Sequence, residues 1–194
     1  MSVFTFQVTI DDVMGYTKEK ELSGILVAVD FENAFDTLNF NYLIRTLHKF
    51  NFGPSFIQWI QTLYKNISIC AMNNSFTTGP FTLSRGVCLG DPLSPYLFII
   101  ALETLAINIR NDDSIKGFSI GGKTMKLSLF ADDTTCFLRD KESHTSLFTI
   151  LESFGSRSGL RVNHDKICEI TKILGVYFGY YECYAAKWNN RDKM

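Results

Sequence analysis

Asp132 and Asp133 stand side by side between two apolar runs, Met125-Lys126-Leu127-Ser128-Leu129-Phe130 and Thr134-Thr135-Cys136-Phe137-Leu138. Both runs read as strands, which puts two carboxylates at the tip of a hairpin. A tight hairpin ordinarily turns on Asn-Gly or Asp-Gly. Two carboxylates in that place repel one another unless a cation offsets them, and oxygen ligands of this kind suit a divalent ion. Alone, an Asp-Asp pair is more often an acidic turn than a metal site, because short motifs recur by chance. A second element changes that balance. Gly24-Ile25-Leu26-Val27-Ala28-Val29 is a nearly unbroken run of strand formers that ends at Asp30. By itself Asp30 reads as a strand-end acid capping the next turn. If the two strands are neighbours, Asp30 meets Asp132 and Asp133 at one end of a central sheet. Three clustered carboxylates can hold two magnesium ions roughly 3.5–4 Å apart, the arrangement that serves phosphoryl transfer.

A third segment lies between these two. Ser84-Arg85-Gly86-Val87-Cys88-Leu89-Gly90-Asp91-Pro92-Leu93-Ser94-Pro95 is a glycine-rich turn followed by a long apolar helical stretch. Gly86 and Gly90 let backbone approach a ligand closely. Asp91 or Ser94 can cap the helix, with Pro92 or Pro95 in its first turn. The same composition also serves an ordinary connection from loop to helix.

The elements that must position these residues follow from periodicity. Residues 10–21 are expected to be helical and 24–30 a strand. Phe40, Leu43, Ile44 and Leu47 recur at helical spacing, as do Phe56, Ile57, Ile60, Leu63 and Tyr64, with Gly53-Pro54 between the two helices. Residues 67–72 and 75–83 predict a hairpin turning at Asn73-Asn74. A helix is expected over 93–110, then a pairing of 116–120 with 123–130 across Gly121-Gly122. Residues 134–138 complete the aspartate hairpin, 142–157 form a helix, and short strands return near 161–163 and 167–178. Strands with helices packed on one face predict an α+β fold.

The ordered set of motifs resembles a known family. VAVDFENAFDTL (27–38), RGVCLGDPLSPYLF (85–98) and FADD (130–133) are similar to motifs A, B and C of reverse transcriptases, specifically those of non-LTR (LINE-type) retrotransposons. Ser158-Gly159-Leu160-Arg161-Val162-Asn163-His164-Asp165-Lys166 resembles the motif D pattern SGL-x-x-N-x-x-K, and Ile173-Leu174-Gly175-Val176 resembles the start of motif E. The segment from Asp11 to Glu21 resembles the helix that precedes motif A. The likeness covers about residues 10–180; each motif is weak, and the ordered set is specific.

The resemblance implies a polymerase palm, an antiparallel sheet with helices on one face, with partial fingers and no thumb. The corresponding division is 1–23 as a partial fingers helix region, 24–180 as palm and 181–194 as a polar tail. It implies that Asp30, Asp132 and Asp133 hold two Mg²⁺ ions, with Mn²⁺ as a substitute, for nucleotidyl transfer from a dNTP to a primer 3′ hydroxyl. Phe35 matches the aromatic gate that excludes a ribose 2′ hydroxyl, the other reading being core packing. Lys166 matches the motif D lysine that protonates the pyrophosphate leaving group, the other reading being a solvated lysine. Leu89 and Gly90 fall at nucleotide-binding positions. The implied partners are an RNA template, a DNA primer and dNTP.

One departure stands out. The family usually reads Arg-Gln-Gly in motif B, and this chain reads Cys88-Leu89-Gly90. Leucine can neither donate nor accept the hydrogen bond that glutamine makes to the incoming nucleotide. With 194 residues there is room for one domain with a real core. The family's basic fingers strands and its thumb have no counterpart here, so weak or no synthesis is expected from this chain alone. Two other readings compete: an inactive truncated retrotransposon relic, and a non-catalytic nucleic-acid-binding or interaction module.

Composition narrows the remaining classes. Lys plus Arg number 19 against 20 Asp plus Glu, a formal net charge of −1, whereas nucleic-acid binders usually carry a basic excess. Hydrophobic residues make up 46% of the chain, which excludes wholesale disorder. The five cysteines form no C-x-x-C pair, which argues against zinc, and their scatter suits a reducing, intracellular compartment. The start lacks a signal-peptide pattern, and the longest apolar run, 97–102, is far too short to cross a bilayer.

Overall fold

The apolar run Gly24–Val29 lies at the centre of the sheet. The computed structural model describes residues 3–88, 90–131, 133–173 and 176–179. Its elements run α1 (Val3–Glu19), β1 (Gly24–Val29), α2 (Ala34–Thr37), α3 (Phe40–Lys49), α4 (Pro54–Leu63), β2 (Ser68–Ile69), β3 (Met72–Asn73), β4 (Phe76–Thr77) and β5 (Phe81–Thr82). There follow α5 (Ser94–Asn111), β6 (Phe118–Ile120), β7 (Lys123–Met125), β8 (Leu127–Phe130), β9 (Asp133–Leu138), α6 (Lys141–Ser158), a 3₁₀ turn (His164–Lys166), β10 (Cys168–Ile173) and β11 (Val176–Gly179). Five strands form one antiparallel sheet in the order β11-β10-β1-β9-β8. No helix among the described residues is long and apolar enough to cross a membrane.

Both faces of this sheet are covered, which corrects the expectation of helices on one face. Val27, Val29, Cys136 and Leu138 point into the main core against α3, α4, α5 and α6. On the other face Leu26, Ala28 and Phe137 pack with Ile10 and Val13 of α1 and with Phe118 of β6. The physical reason is visible in β1. A strand apolar at every position needs cover on both faces, as fully buried strands do. Burial also accounts for Cys136, whose thiol is pushed up to about 12 by complete desolvation; it is a packing group.

Smaller differences have local causes. The hairpin turn falls on Asn74-Ser75, one residue later than expected, because both residues hold positive φ (47° and 67°), the twist that two-residue hairpins need. The stretch 123–130 splits at Lys126. Its ammonium donates to the carbonyls of Arg110 (2.9 Å) and Asp112 (2.8 Å) at the end of α5, a cation on a helix C-terminus. β7 therefore pairs with β6 across Gly121-Gly122, while β8 joins the main sheet.

Helix α6, whose Leu147, Leu151 and Phe154 lie in the main core, starts at a capping aspartate. Asp140 accepts from the Ser143 backbone N–H (2.8 Å) and hydroxyl (2.7 Å), and Lys116 Nζ lies 3.2 Å away. Those Ser143 bonds, and then Lys116, hold the Asp140 carboxyl at about 2, well below the usual carboxylate range. A depressed carboxylate stabilises the fold above its ordinary titration range and loses that contribution as pH falls toward its folded value. Asp140→Ala should therefore cost about 1 kcal/mol near neutral pH. The gap from wild type should narrow as urea unfolding is repeated from pH 5 toward pH 2; a pH-independent gap would refute the capping account.

Candidate active site

The β1–β9 register brings two of the acids together. Val29 opposite Thr134 is the last pair of this register; continued by one step, the register sets Asp30 against Asp133. Directly opposed residues in an antiparallel pair have Cα atoms about 4.5–5.5 Å apart. In β8–β9, Phe130 pairs with Asp133, and Ala131 takes the left-handed φ of 52° that this tight turn demands. Asp133 is 8% exposed and the Asp30 side chain 14%. Asp132 lies outside the described residues. Among the described residues no three His, Cys, Asp or Glu side chains group as a metal site. The donors that do converge are hard carboxylate oxygens, which fit Mg²⁺ or Mn²⁺ rather than a soft metal.

Lys166 joins these acids. Its Nζ sits 3.4 Å from Asp30 Oδ2. Backbone bonds account for the placement. Val162 bridges Phe31, the Glu32 N–H donates to the Arg161 carbonyl (2.8 Å), and the Asn163 N–H donates to the Asp30 carbonyl (2.9 Å). The Lys166 N–H then donates to the Asn163 carbonyl (3.1 Å), closing the short turn that carries the lysine. The side chain is 65% exposed, so the lysine is both solvated and paired with Asp30.

The segment after Asp30 is a backbone hub. The Val87 N–H donates to the Phe35 carbonyl (2.7 Å) and the Gly86 N–H to the Leu38 carbonyl (2.8 Å), while the Asn39 N–H donates to the Ser158 carbonyl (2.7 Å). Residues 30–39 thus hold the glycine-rich loop on one side and the 158–166 segment on the other. Gly86 makes the first contact possible. Its φ is +88°, and a Cβ there would lie 2.7 Å from the Asp36 carbonyl oxygen. Gly86→Ala should cost about 2–4 kcal/mol, from left-handed strain plus overlap with backbone that cannot give way. Urea unfolding tests this; a loss under about 0.5 kcal/mol, the range of neutral surface changes, would mean that the loop does not need its observed seat.

Phe35 is half-buried, and its ring stacks on Phe98 of α5 at 4.8 Å between centroids with 22° between planes. Packing and accessibility coexist here: one face of the ring rests on the core and the residue is not sealed off. In the glycine-rich loop, Asp91 accepts from the Leu93 N–H (3.1 Å), and the Tyr64 and Ser94 hydroxyls donate to its other oxygen (3.3 and 3.4 Å). Pro95 enters the first turn of α5. Tyr64, whose hydroxyl burial pushes up from its ordinary value, anchors this loop. In the sequence Tyr64 shows only as one of several apolar and aromatic residues at helical spacing; nothing local signals the aspartate it meets. Gly90 holds φ +91° with open space where a Cβ would be, and Leu89 lies outside the described residues.

Residues 2–180 match the family described as reverse transcriptase (RNA-dependent DNA polymerase). The chain belongs to this reverse transcriptase family. It is 29% identical over 167 residues to the transposon TX1 uncharacterized 149 kDa protein of Xenopus laevis, covering 85% of this chain and 13% of that protein. It is 27% identical over 157 residues to the retrovirus-related Pol polyprotein from type-2 retrotransposable element R2DM of Drosophila melanogaster, covering 81% of this chain and 15% of that one. These relatives bear out the non-LTR retrotransposon likeness of the motifs. The chain thus spans a small part of the length of the relatives it matches. In fold, it is similar to telomerase from Candida tropicalis solved with a fragment of telomeric RNA, at a TM-score of 0.60 and 17% identity over 87% of this chain and 28% of that one. The mixed α/β architecture of this reverse transcriptase domain is accordingly polymerase-like.

Proposed function

We propose that residues 24–180 are the palm of an RNA-directed DNA polymerase, extending a DNA primer on an RNA template with dNTP. Residues 1–23 would be a partial fingers region and 181–194 a polar tail outside the catalytic unit. The observation that carries this reading is the convergence of Asp30 and Asp133 at one end of the β1–β9 pair in a chain of the reverse transcriptase family. The RNA in the telomerase complex lends support for a nucleic-acid template. Asp30 and Asp133, with Asp132 next to Asp133 in sequence, would hold the divalent ions. Bound there, Mg²⁺ supplies the positive charge that favours a deprotonated primer hydroxyl and offsets charge on the leaving phosphates.

The remaining work falls to this chain's own side chains. Lys166 carries a proton within reach of the site and can deliver it to the pyrophosphate oxygen as that leaves. Phe35, steadied by Phe98, presents a rigid ring where a 2′ hydroxyl would otherwise fit. Gly90 leaves backbone open to the nucleotide, while Leu89 gives up a hydrogen bond worth about 0.5–1.5 kcal/mol. With a near-neutral surface, the domain's own grip on nucleic acid is weak. Slow extension is therefore expected from these 194 residues. Primer extension on RNA, run with enzyme in excess, tests the reading. Extension should need a divalent ion and disappear in Asp30→Asn. Extension that is indifferent to Asp30→Asn or that needs no divalent ion would overturn it.

A further inference from the structure

Lys166 pairs with one of the acids that the metal reading requires. Nζ lies 3.4 Å from Asp30 Oδ2, with the lysine side chain 65% exposed and that of Asp30 only 14%. The two ends of the lysine are held differently. Its backbone is tied to Asp30 through Asn163, whose N–H donates to the Asp30 carbonyl at 2.9 Å and whose carbonyl accepts from Lys166 at 3.1 Å. The side chain lies along the surface, where a four-carbon stem can swing into solvent without breaking any packing. An ammonium and a divalent ion on the same carboxylate repel one another strongly.

We propose that Lys166 is a displaceable counter-ion: its ammonium occupies Asp30 when no divalent ion is present, competes with that ion for the carboxylate, and is expelled into the cleft as the ion binds. The expelled ammonium stays within a side chain's length of Asp30 because the backbone tether does not move. Metal loading thereby releases the same proton-bearing group that the reaction uses last. This inference rests on the assignment of Asp30 and Asp133 as metal ligands and adds to it an ordering: the lysine is free for the substrate only after the metal has arrived.

The test is Mn²⁺ binding to the full chain, read from the paramagnetic resonance signal of free Mn²⁺ at low salt. Lys166→Gln should bind Mn²⁺ roughly two- to fivefold more tightly than wild type, the range set by the strength of exposed ion pairs. Lys166→Arg, which keeps the charge, should stay close to wild type. Lys141→Gln removes the same charge at the opposite end of β9 and should change little. Equal or weaker binding by Lys166→Gln overturns the proposal, as does an equal gain in Lys141→Gln, which would reduce the effect to bulk charge. Asp133→Asn separates the two readings. If it loses Mn²⁺ while Lys166→Gln matches wild type, only the counter-ion role falls. If binding is unaffected by Asp133→Asn, or absent throughout, the metal assignment and this inference fall together. Amine acylation supplies a second readout by peptide mass spectrometry: Lys166 should become more reactive on adding Mn²⁺, and unchanged reactivity counts against its release.

Discussion

Asp133→Asn is expected to lose roughly a hundredfold or more of primer extension while keeping the fold intact. The substitution preserves shape at a position only 8% exposed and removes one negative charge beside Asp30. Divalent ions at such a site supply several kcal/mol of transition-state stabilisation, and each 1.4 kcal/mol is about tenfold in rate. The stability effect should have the opposite sign. Asp133 sits across from another carboxylate and beside a third in sequence, and like charges this close oppose folding when no cation offsets them. Without added metal the variant should therefore melt at the wild-type temperature or slightly above it. With Mn²⁺ the order should reverse, because only wild type gains from binding an ion that prefers the native state. Melting curves with and without Mn²⁺, run beside primer extension at enzyme excess, check both halves. Activity within threefold of wild type would remove Asp133 from the catalytic set, and a large metal-free loss of stability would make its role structural.

The largest stability effect should come from Phe98→Ala. Phe98 is fully buried in the main core and carries the Phe35 ring on its face. Truncating a buried phenylalanine costs about 3–5 kcal/mol, a large part of the 5–15 kcal/mol typical of a domain. Phe35→Ala should cost clearly less, because that ring is half-buried and its cavity can open to solvent. Selectivity should divide the other way. Phe35→Ala should raise ribonucleotide use relative to deoxyribonucleotide use by roughly tenfold or more, a shape discrimination of the size that apolar pockets achieve. Phe98→Leu keeps most of the core volume and should relax selectivity less than Phe35→Ala does, because the gate remains but loses its support. Urea midpoints and competition between the two nucleotide types measure both axes. If Phe35→Ala leaves selectivity untouched and only destabilises, the ring is a packing residue and the gate assignment is lost.

These two aromatics show where sequence reading stops. Phe35 was legible as either gate or core, and its contact with a residue far along the chain decides that it takes part in the core without being closed inside it. Tyr64 carried no signal, because an apolar helical stripe says which face is buried and nothing about the aspartate waiting there. The covered second face of the sheet was half legible: the uniform apolarity of β1 demanded cover, but nothing in the run named α1 and the β6–β7 hairpin as the cover.

What the sequence determined by itself was everything that depends on neighbours in the chain. The strand that ends at Asp30, the hairpin that presents Asp133 and the glycine turn before α5 follow from local periodicity, turn chemistry and spacing, while the reverse transcriptase family was legible through the resemblance of the ordered motifs. The tertiary structure decided register and adjacency. Sliding β9 by one residue against β1 would turn its buried side chains to the opposite face and part Asp30 from Asp133, so packing on both faces of the sheet selects the pairing that aligns the acids. The same holds for Lys166, which reaches Asp30 only because the 161–163 backbone bonds to residues 30–32. Residue types and their order carry the chemistry that is available, whereas non-local hydrogen bonds and burial choose which of those groups meet.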